Sequence, residues 1–121
     1  MGQRLLIVDD EETITYSLYQ SFIISNKEYE VSTANSGEMA LVKMKENPFD
    51  LIITDIFMPG ISGIDLLKQV KKDYPSTSVI VMTAYGSNIK KDEVEQLGAS
   101  YYVEKPFELK ILRQKVFDIL G

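Results

Sequence analysis

The sequence predicts a doubly wound α/β domain, and three observations carry that prediction. Short apolar runs alternate with longer amphipathic stretches from end to end, five of each. Such alternation builds a parallel sheet with helices on its faces. The first run, Leu5-Leu6-Ile7-Val8, is continuous rather than alternating, as expected of a strand buried on both faces. With 121 residues, 45% of them hydrophobic and 26% charged, the chain has the size and balance of one globular domain spanning 1–121.

Each element follows from local chemistry. After the first strand, Ile14, Leu18, Phe22 and Ile23 recur at helical spacing. Glu11 and Glu12 suit the positive end of that helix. Tyr29–Thr33 alternates, as a strand nearer an edge does. Ser36-Gly37 opens a second helix with an inner face of Ala40, Leu41 and Met44, and Asn47-Pro48 ends it. Leu51-Ile52-Ile53 is the third strand, and Met58-Pro59-Gly60 a turn. Ser62 with Asp65 three residues on reads as a capping box with Asp in place of Glu. The helix it opens packs Ile64, Leu67 and Val70 and stops at Tyr74-Pro75. Ser78–Met82 is the fourth strand. A polar helix follows over about 88–97, closed by Gly98. Tyr101-Tyr102-Val103 is the fifth strand. Pro106 is placed at the first position of the last helix, whose stripe is Leu109, Leu112, Val116 and Ile119.

Composition removes whole classes of chemistry. Cys is absent, which excludes disulfide frameworks, zinc–thiolate sites and cysteine nucleophiles. His is absent as well, which excludes a Ser-His-Asp triad and imidazole ligation. The net charge of -5 gives no general attraction to nucleic acid or to an anionic membrane. The apolar runs are too short to span a bilayer, and Met1-Gly2-Gln3-Arg4 lacks a signal-peptide layout. The expectation is a cytoplasmic protein with no membrane segment and no direct nucleic-acid binding.

In an open parallel sheet, ligands bind at the carboxyl ends of the strands. Here those ends carry Asp9-Asp10, Asp55, Thr83-Ala84 and Lys105-Pro106. Two unit charges about 4 Å apart repel by about 4 kcal/mol at an effective dielectric of about 20, so three carboxylates on one rim call for a cation. Oxygen-only ligands favour a hard ion, and Mg²⁺ keeps waters that a phosphoryl oxygen can replace. Lys105 adds a second positive centre and Thr83 a hydroxyl. Together these are the parts needed to move a phosphoryl group onto a carboxylate.

Four fragments then carry a family resemblance over nearly the whole chain. They are Leu6-Ile7-Val8-Asp9-Asp10-Glu11-Glu12, Thr54-Asp55-Ile56-Phe57-Met58-Pro59-Gly60 with Ser62-Gly63, Met82-Thr83-Ala84, and Lys105-Pro106-Phe107. In that order the sequence resembles the receiver domain of two-component response regulators, of the chemotaxis-regulator type. The resemblance implies a flavodoxin-like (βα)5 fold with strand order 2-1-3-4-5. It implies Asp55 as phosphoacceptor and Mg²⁺ held by Asp10, Asp55 and the Phe57 backbone carbonyl, with Asp9 acting through water. It implies Lys105 on the phosphoryl oxygens, a cis bond from Lys105 to Pro106, and Thr83 and Tyr102 as switch residues. The donor would be a histidine kinase or phosphotransfer domain. The helix-four, strand-five, helix-five surface would control an output domain or downstream protein, with a homodimer through that surface also implied. Phe57 and Tyr85, both bulky, would shield an aspartyl phosphate from water.

Each fragment alone has a plainer reading. Asp9 to Glu12 reads as an acidic helix start, Asp55 as a turn cap, Thr83 as a strand-end hydroxyl and Lys105 as a solvated lysine. Tyr102 reads as strand packing. Lys90-Lys91-Asp92-Glu93 reads as a solvated helix face, and Met39, Met44 and Met58 as core or turn packing. Three rival functions make different demands on the sequence. A haloacid-dehalogenase-type phosphatase would need Asp-x-Asp after the first strand, where the acids here are adjacent. A receiver-like module working without phosphate would be expected to lack part of the acid, Thr and Lys set. A flavodoxin would need a Ser/Thr/Gly-rich loop after the first strand.

Overall fold

Parallel strands that are apolar on both faces must be covered from both sides, and this chain builds that arrangement. The computed structural model describes residues 2–25, 28–84 and 88–121. In chain order the elements are β1 (Arg4–Val8), α1 (Glu12–Ser25), β2 (Glu30–Ala34), α2 (Gly37–Glu46), β3 (Leu51–Asp55), α3 (Gly63–Asp73), β4 (Ser78–Ala84), α4 (Lys91–Gln96), β5 (Tyr101–Lys105) and α5 (Leu109–Leu120). The 5-stranded sheet has the order β2-β1-β3-β4-β5, and every neighbouring pair is parallel. The fold is the flavodoxin-like one the resemblance implies. Strand addition reverses between β1 and β3, and that reversal opens a crevice at their carboxyl ends.

Strand alternation divides the core in two. Leu6, Val8, Ile52, Val79 and Val81 pack under α2, α3 and α4, joined by Ala40, Met44, Leu66, Leu67, Val70 and Val94. Leu5, Ile7, Leu51, Ile53, Ile80 and Met82 pack on the other face under Leu18 and Phe22 of α1 and Leu112 and Val116 of α5. Each such aliphatic side chain contributes about 1.5–3 kcal/mol by leaving water. That surplus tolerates the charged groups buried at the rim.

The helix starts divide by whether a capping side chain is present. Ser36 accepts the Met39 amide at 3.1 Å, and Ser62 accepts the Asp65 amide at 3.1 Å. Asp65 makes no return bond to the Ser62 amide, so only half of the expected box forms. Gly98, at φ 106, closes the turn after α4.

Several expectations need correction. Pro106 does not begin the last helix. The Lys105–Pro106 bond is cis, and α5 starts at Leu109 with Glu108 as an N-cap that makes no side-chain bond. Lys105 stays in strand geometry to reach the rim carboxylates, and Phe107 packs on the α1 side before the helix can start. Leu109 consequently leaves the buried stripe and is 37% exposed. The polar helix is shorter than 88–97. Its N-cap, Lys90, offers no capping bond, and the Ile89 carbonyl is engaged by the Tyr102 hydroxyl. Leu66 is buried in α3 and Ile64 only partly so. Met39 lies on the exposed face of α2 rather than in the core.

Candidate functional site

Register places the rim groups level with one another. Val8 pairs with Thr54, so Asp9 follows β1 at the height where Asp55 ends β3. Ala84 pairs with Lys105 at the ends of β4 and β5. Oxygens of Asp9, Asp10 and Asp55 lie within 4.8 Å of one another. Asp9 and Asp55 are buried, while Asp10 is exposed at the mouth.

The buried acids are held by specific donors. The Glu11 amide donates to Asp9 Oδ1 at 2.9 Å, and Lys105 Nζ donates to Asp9 Oδ2 at 3.2 Å. The Ile56 amide is shared between Asp55 Oδ1 at 3.0 Å and the Met82 carbonyl at 2.9 Å, and Lys105 Nζ lies 3.5 Å from Asp55 Oδ1. No hydrogen bond reaches Asp55 Oδ2 among the described residues. Lys105 is also 4.0 Å from Glu11 Oε1. One ammonium therefore serves three carboxylates, with Asp10 beside them.

Thr83 is fully buried near the end of β4, on the sheet face that also carries Val81 and Tyr102. The Tyr102 hydroxyl donates to the Ile89 carbonyl at 3.1 Å, which ties β5 to the segment leading into α4. Phe57 is 54% exposed. With Asp55, Lys105, Ala84 and Pro106 it lines a groove of about 680 Å³. Tyr85 lies outside the described residues.

Sequence reasoning missed three supports. Glu11 stands in the sequence as one acid of a run at a helix start, yet its amide and carboxylate both enter the ion network. The Ile56 amide fixes the Asp55 rotamer and leaves no mark in the sequence, because any residue but Pro supplies it. Gly63 sits so close to β3 that a Cβ there would fall 2.0 Å from the Asp55 carbonyl oxygen.

The electrostatics follow from burial. Burial raises the Asp9 carboxyl above its ordinary range, and the Glu11 amide and Lys105 pull it back only in part. Burial raises Asp55 too, helped by the negative charge of Asp9 and opposed by Lys105 and the Ile56 amide. For Lys105, burial disfavours the ammonium, but Asp9 and Asp55 outweigh it and hold the group above the usual lysine range. The donor set is all oxygen, and the acids outnumber the one cation among them. That fits a hard divalent ion.

A pH dependence results. Just above the ordinary carboxylate range, the folded protein holds more protons than the unfolded chain. Stability must then fall as pH rises through the raised values of Asp9 and Asp55. In metal-free protein, urea midpoints measured at stepped pH should show this fall, and Asp9→Asn should reduce it. Equal slopes in the two proteins would contradict the assignment.

The comparisons with known proteins decide the family. A family model described as the response regulator receiver domain matches residues 5–117. The chain belongs to that family. Receivers of this kind act in two-component signalling as phosphorylation-controlled domains rather than enzymes in the ordinary sense, and receive phosphoryl groups from histidine kinases. The receiver is 39% identical over 118 residues to sporulation initiation phosphotransferase F of Bacillus subtilis, covering 96% of this chain and 92% of the relative. It is 33% identical over 112 residues to response regulator protein FleR of Pseudomonas aeruginosa, covering 93% of this chain but only 23% of that protein. The crystal structure of a CheY-like receiver domain protein from Methanospirillum hungatei superposes with a TM-score of 0.91 at 31% identity, covering 99% of this chain and 94% of the other. Among the described residues no helix of the receiver is long and apolar enough to cross a membrane.

Proposed function

We propose that residues 1–121 act as one receiver unit that takes a phosphoryl group on Asp55. The observation that supports this most directly is the grouping of Asp9, Asp10 and Asp55 oxygens within 4.8 Å, with Lys105 3.5 Å from Asp55. Asp55 is the nucleophile, and among the described residues no hydrogen bond to its Oδ2 must first break. Its carboxylate attacks phosphorus, the bond to the donor's leaving group breaks, and the leaving group takes a proton from solvent. Lys105 stabilises charge on the equatorial oxygens from a fixed position near Asp55. Asp10, Asp55 and the Phe57 carbonyl would hold Mg²⁺, with Asp9 acting through water. When bound, the ion offsets the acidic charge and orients phosphoryl oxygens.

The chain has no His, so the phosphohistidine donor lies on another domain or protein. After transfer, Thr83 leaves its buried position to bond the phosphoryl group. Tyr102 exchanges its bond to Ile89 for a more inward site. The α4-β5-α5 surface then changes its affinity for an output domain, a downstream protein or a second copy. This is a population shift, driven by phosphate that interacts better with one state. The setting in which this occurs is the cytoplasm.

Intact mass after incubation with acetyl phosphate tests the reading. Wild type should gain one phosphoryl group in the presence of Mg²⁺ and none after chelation, and Asp55→Asn should gain none. Uptake by Asp55→Asn equal to wild type would contradict it. The exposed Phe57 ring beside Asp55 supports a long-lived product. Phe57→Asn should lose its phosphoryl group several-fold faster than wild type, followed by mass against time. Slower loss in the variant would remove the shielding role.

A further inference from the structure

The loop between β3 and α3 carries Phe57, and its far half is held from a separate helix. Glu38, in the first turn of α2, receives the Ile61 amide on both carboxylate oxygens, at 3.3 and 3.4 Å. Gly60 has φ 79, and a Cβ there would fall 2.3 Å from Glu38 Oε2. Beside it, a Cβ on Gly37 would fall 2.9 Å from the Ile61 side chain. Two successive residues of α2 thus fit against two successive residues of the loop. The near half is already pinned, because the Ile56 amide bonds the Met82 carbonyl at 2.9 Å and the Gly63 amide bonds the Ile56 carbonyl at 2.8 Å. Residues 57–60 lie between these anchors, and among the described residues Glu38 is the side chain from outside the loop that bonds its far half.

We propose that Glu38 is a positioning residue for the acidic site: by holding Ile61 it sets the course of the loop and so the direction of the Phe57 carbonyl. This rests on the metal-binding role given to Phe57 above. Glu38 is exposed, so its replacement leaves the core intact. Loss of one hydrogen bond corresponds to roughly a three- to tenfold effect.

The test compares Glu38→Ala with Glu38→Gln, whose amide oxygen can accept the same bond. Amide exchange at Ile61 in metal-free protein is the first readout, and Mg²⁺ affinity by titration calorimetry the second. Glu38→Ala should exchange faster at Ile61 and bind Mg²⁺ more weakly, both by roughly three- to tenfold, while Glu38→Gln stays near wild type. Unchanged exchange in Glu38→Ala overturns the clamp. Glu38→Gln as weak in Mg²⁺ binding as Glu38→Ala overturns positioning in favour of bare charge. If wild type bound no Mg²⁺, the metal reading would fail and take the role of Glu38 with it. Faster exchange in Glu38→Ala would then mark a purely structural clamp.

Discussion

Lys105→Ala should lower the rate of phosphoryl uptake by about a hundredfold at saturating Mg²⁺, the scale on which removing one preorganised charge donor acts. The ammonium lies 3.2 Å from Asp9 and 3.5 Å from Asp55, so it is already in place and needs no reorganisation during transfer. Magnesium affinity should move the other way. Lys105 and the ion compete for the same carboxylates, and removing the lysine leaves the acids less compensated. The variant should therefore bind Mg²⁺ at least as tightly as wild type, while metal-free protein loses stability because two buried acids lose their main cation. Single-turnover uptake and a Mg²⁺ titration check both halves. Unchanged uptake, or weaker Mg²⁺ binding in a folded variant, would contradict the role given to Lys105.

Gly63→Ala should destabilise the protein by about 3 kcal/mol, at the upper end of what overpacking usually does. The new Cβ would lie 2.0 Å from the Asp55 carbonyl oxygen and 2.7 Å from Ile56 Cα. Both are backbone atoms, so no side chain can rotate away. Either α3 shifts outward or the end of β3 is displaced, and the Gly63 amide bond to Ile56 is strained in each case. Because Asp55 ends that strand, the variant should also take up phosphate more slowly at temperatures where it remains folded. Gly60→Ala should be milder: a side chain at φ 79 adds about 1–2 kcal/mol of backbone strain, but the atoms it meets belong to the flexible Glu38 side chain. Urea unfolding of the two variants measures the contrast. A Gly63→Ala midpoint equal to wild type would show that α3 enters the sheet less tightly than these distances require.

The parts legible in the sequence were those written in local pattern. Leu5 to Val8, Leu51 to Ile53 and Val79 to Met82 are apolar runs, and each became an inner strand of the sheet. Once those strands are parallel, the residues that end them must share a rim, so strand pattern alone brings Asp9, Asp10, Asp55 and Lys105 together. Ser36 and Ser62 announced their helices because a capping hydroxyl is a local device. Glu108 and Lys90 provide no such bond, so the starts of α5 and α4 carry no local mark in the sequence. Contacts between distant segments that no strand end dictates left no trace. Glu38 meets Ile61 across 23 positions, and the space that Gly63 leaves for the Asp55 carbonyl exists only once α3 has docked. Glu11 was visible as an acid but not as a partner of Lys105, because that pairing depends on how β5 ends.

The central claim is that the phosphoryl group resides on Asp55. Borohydride reduces an acyl phosphate to an alcohol and so marks its position for peptide mapping. Protein phosphorylated with acetyl phosphate and Mg²⁺, then reduced and digested, should carry the mark at position 55 alone. A mark at Asp9 or Asp10, or a phosphorylated protein with no reducible site, would contradict the account.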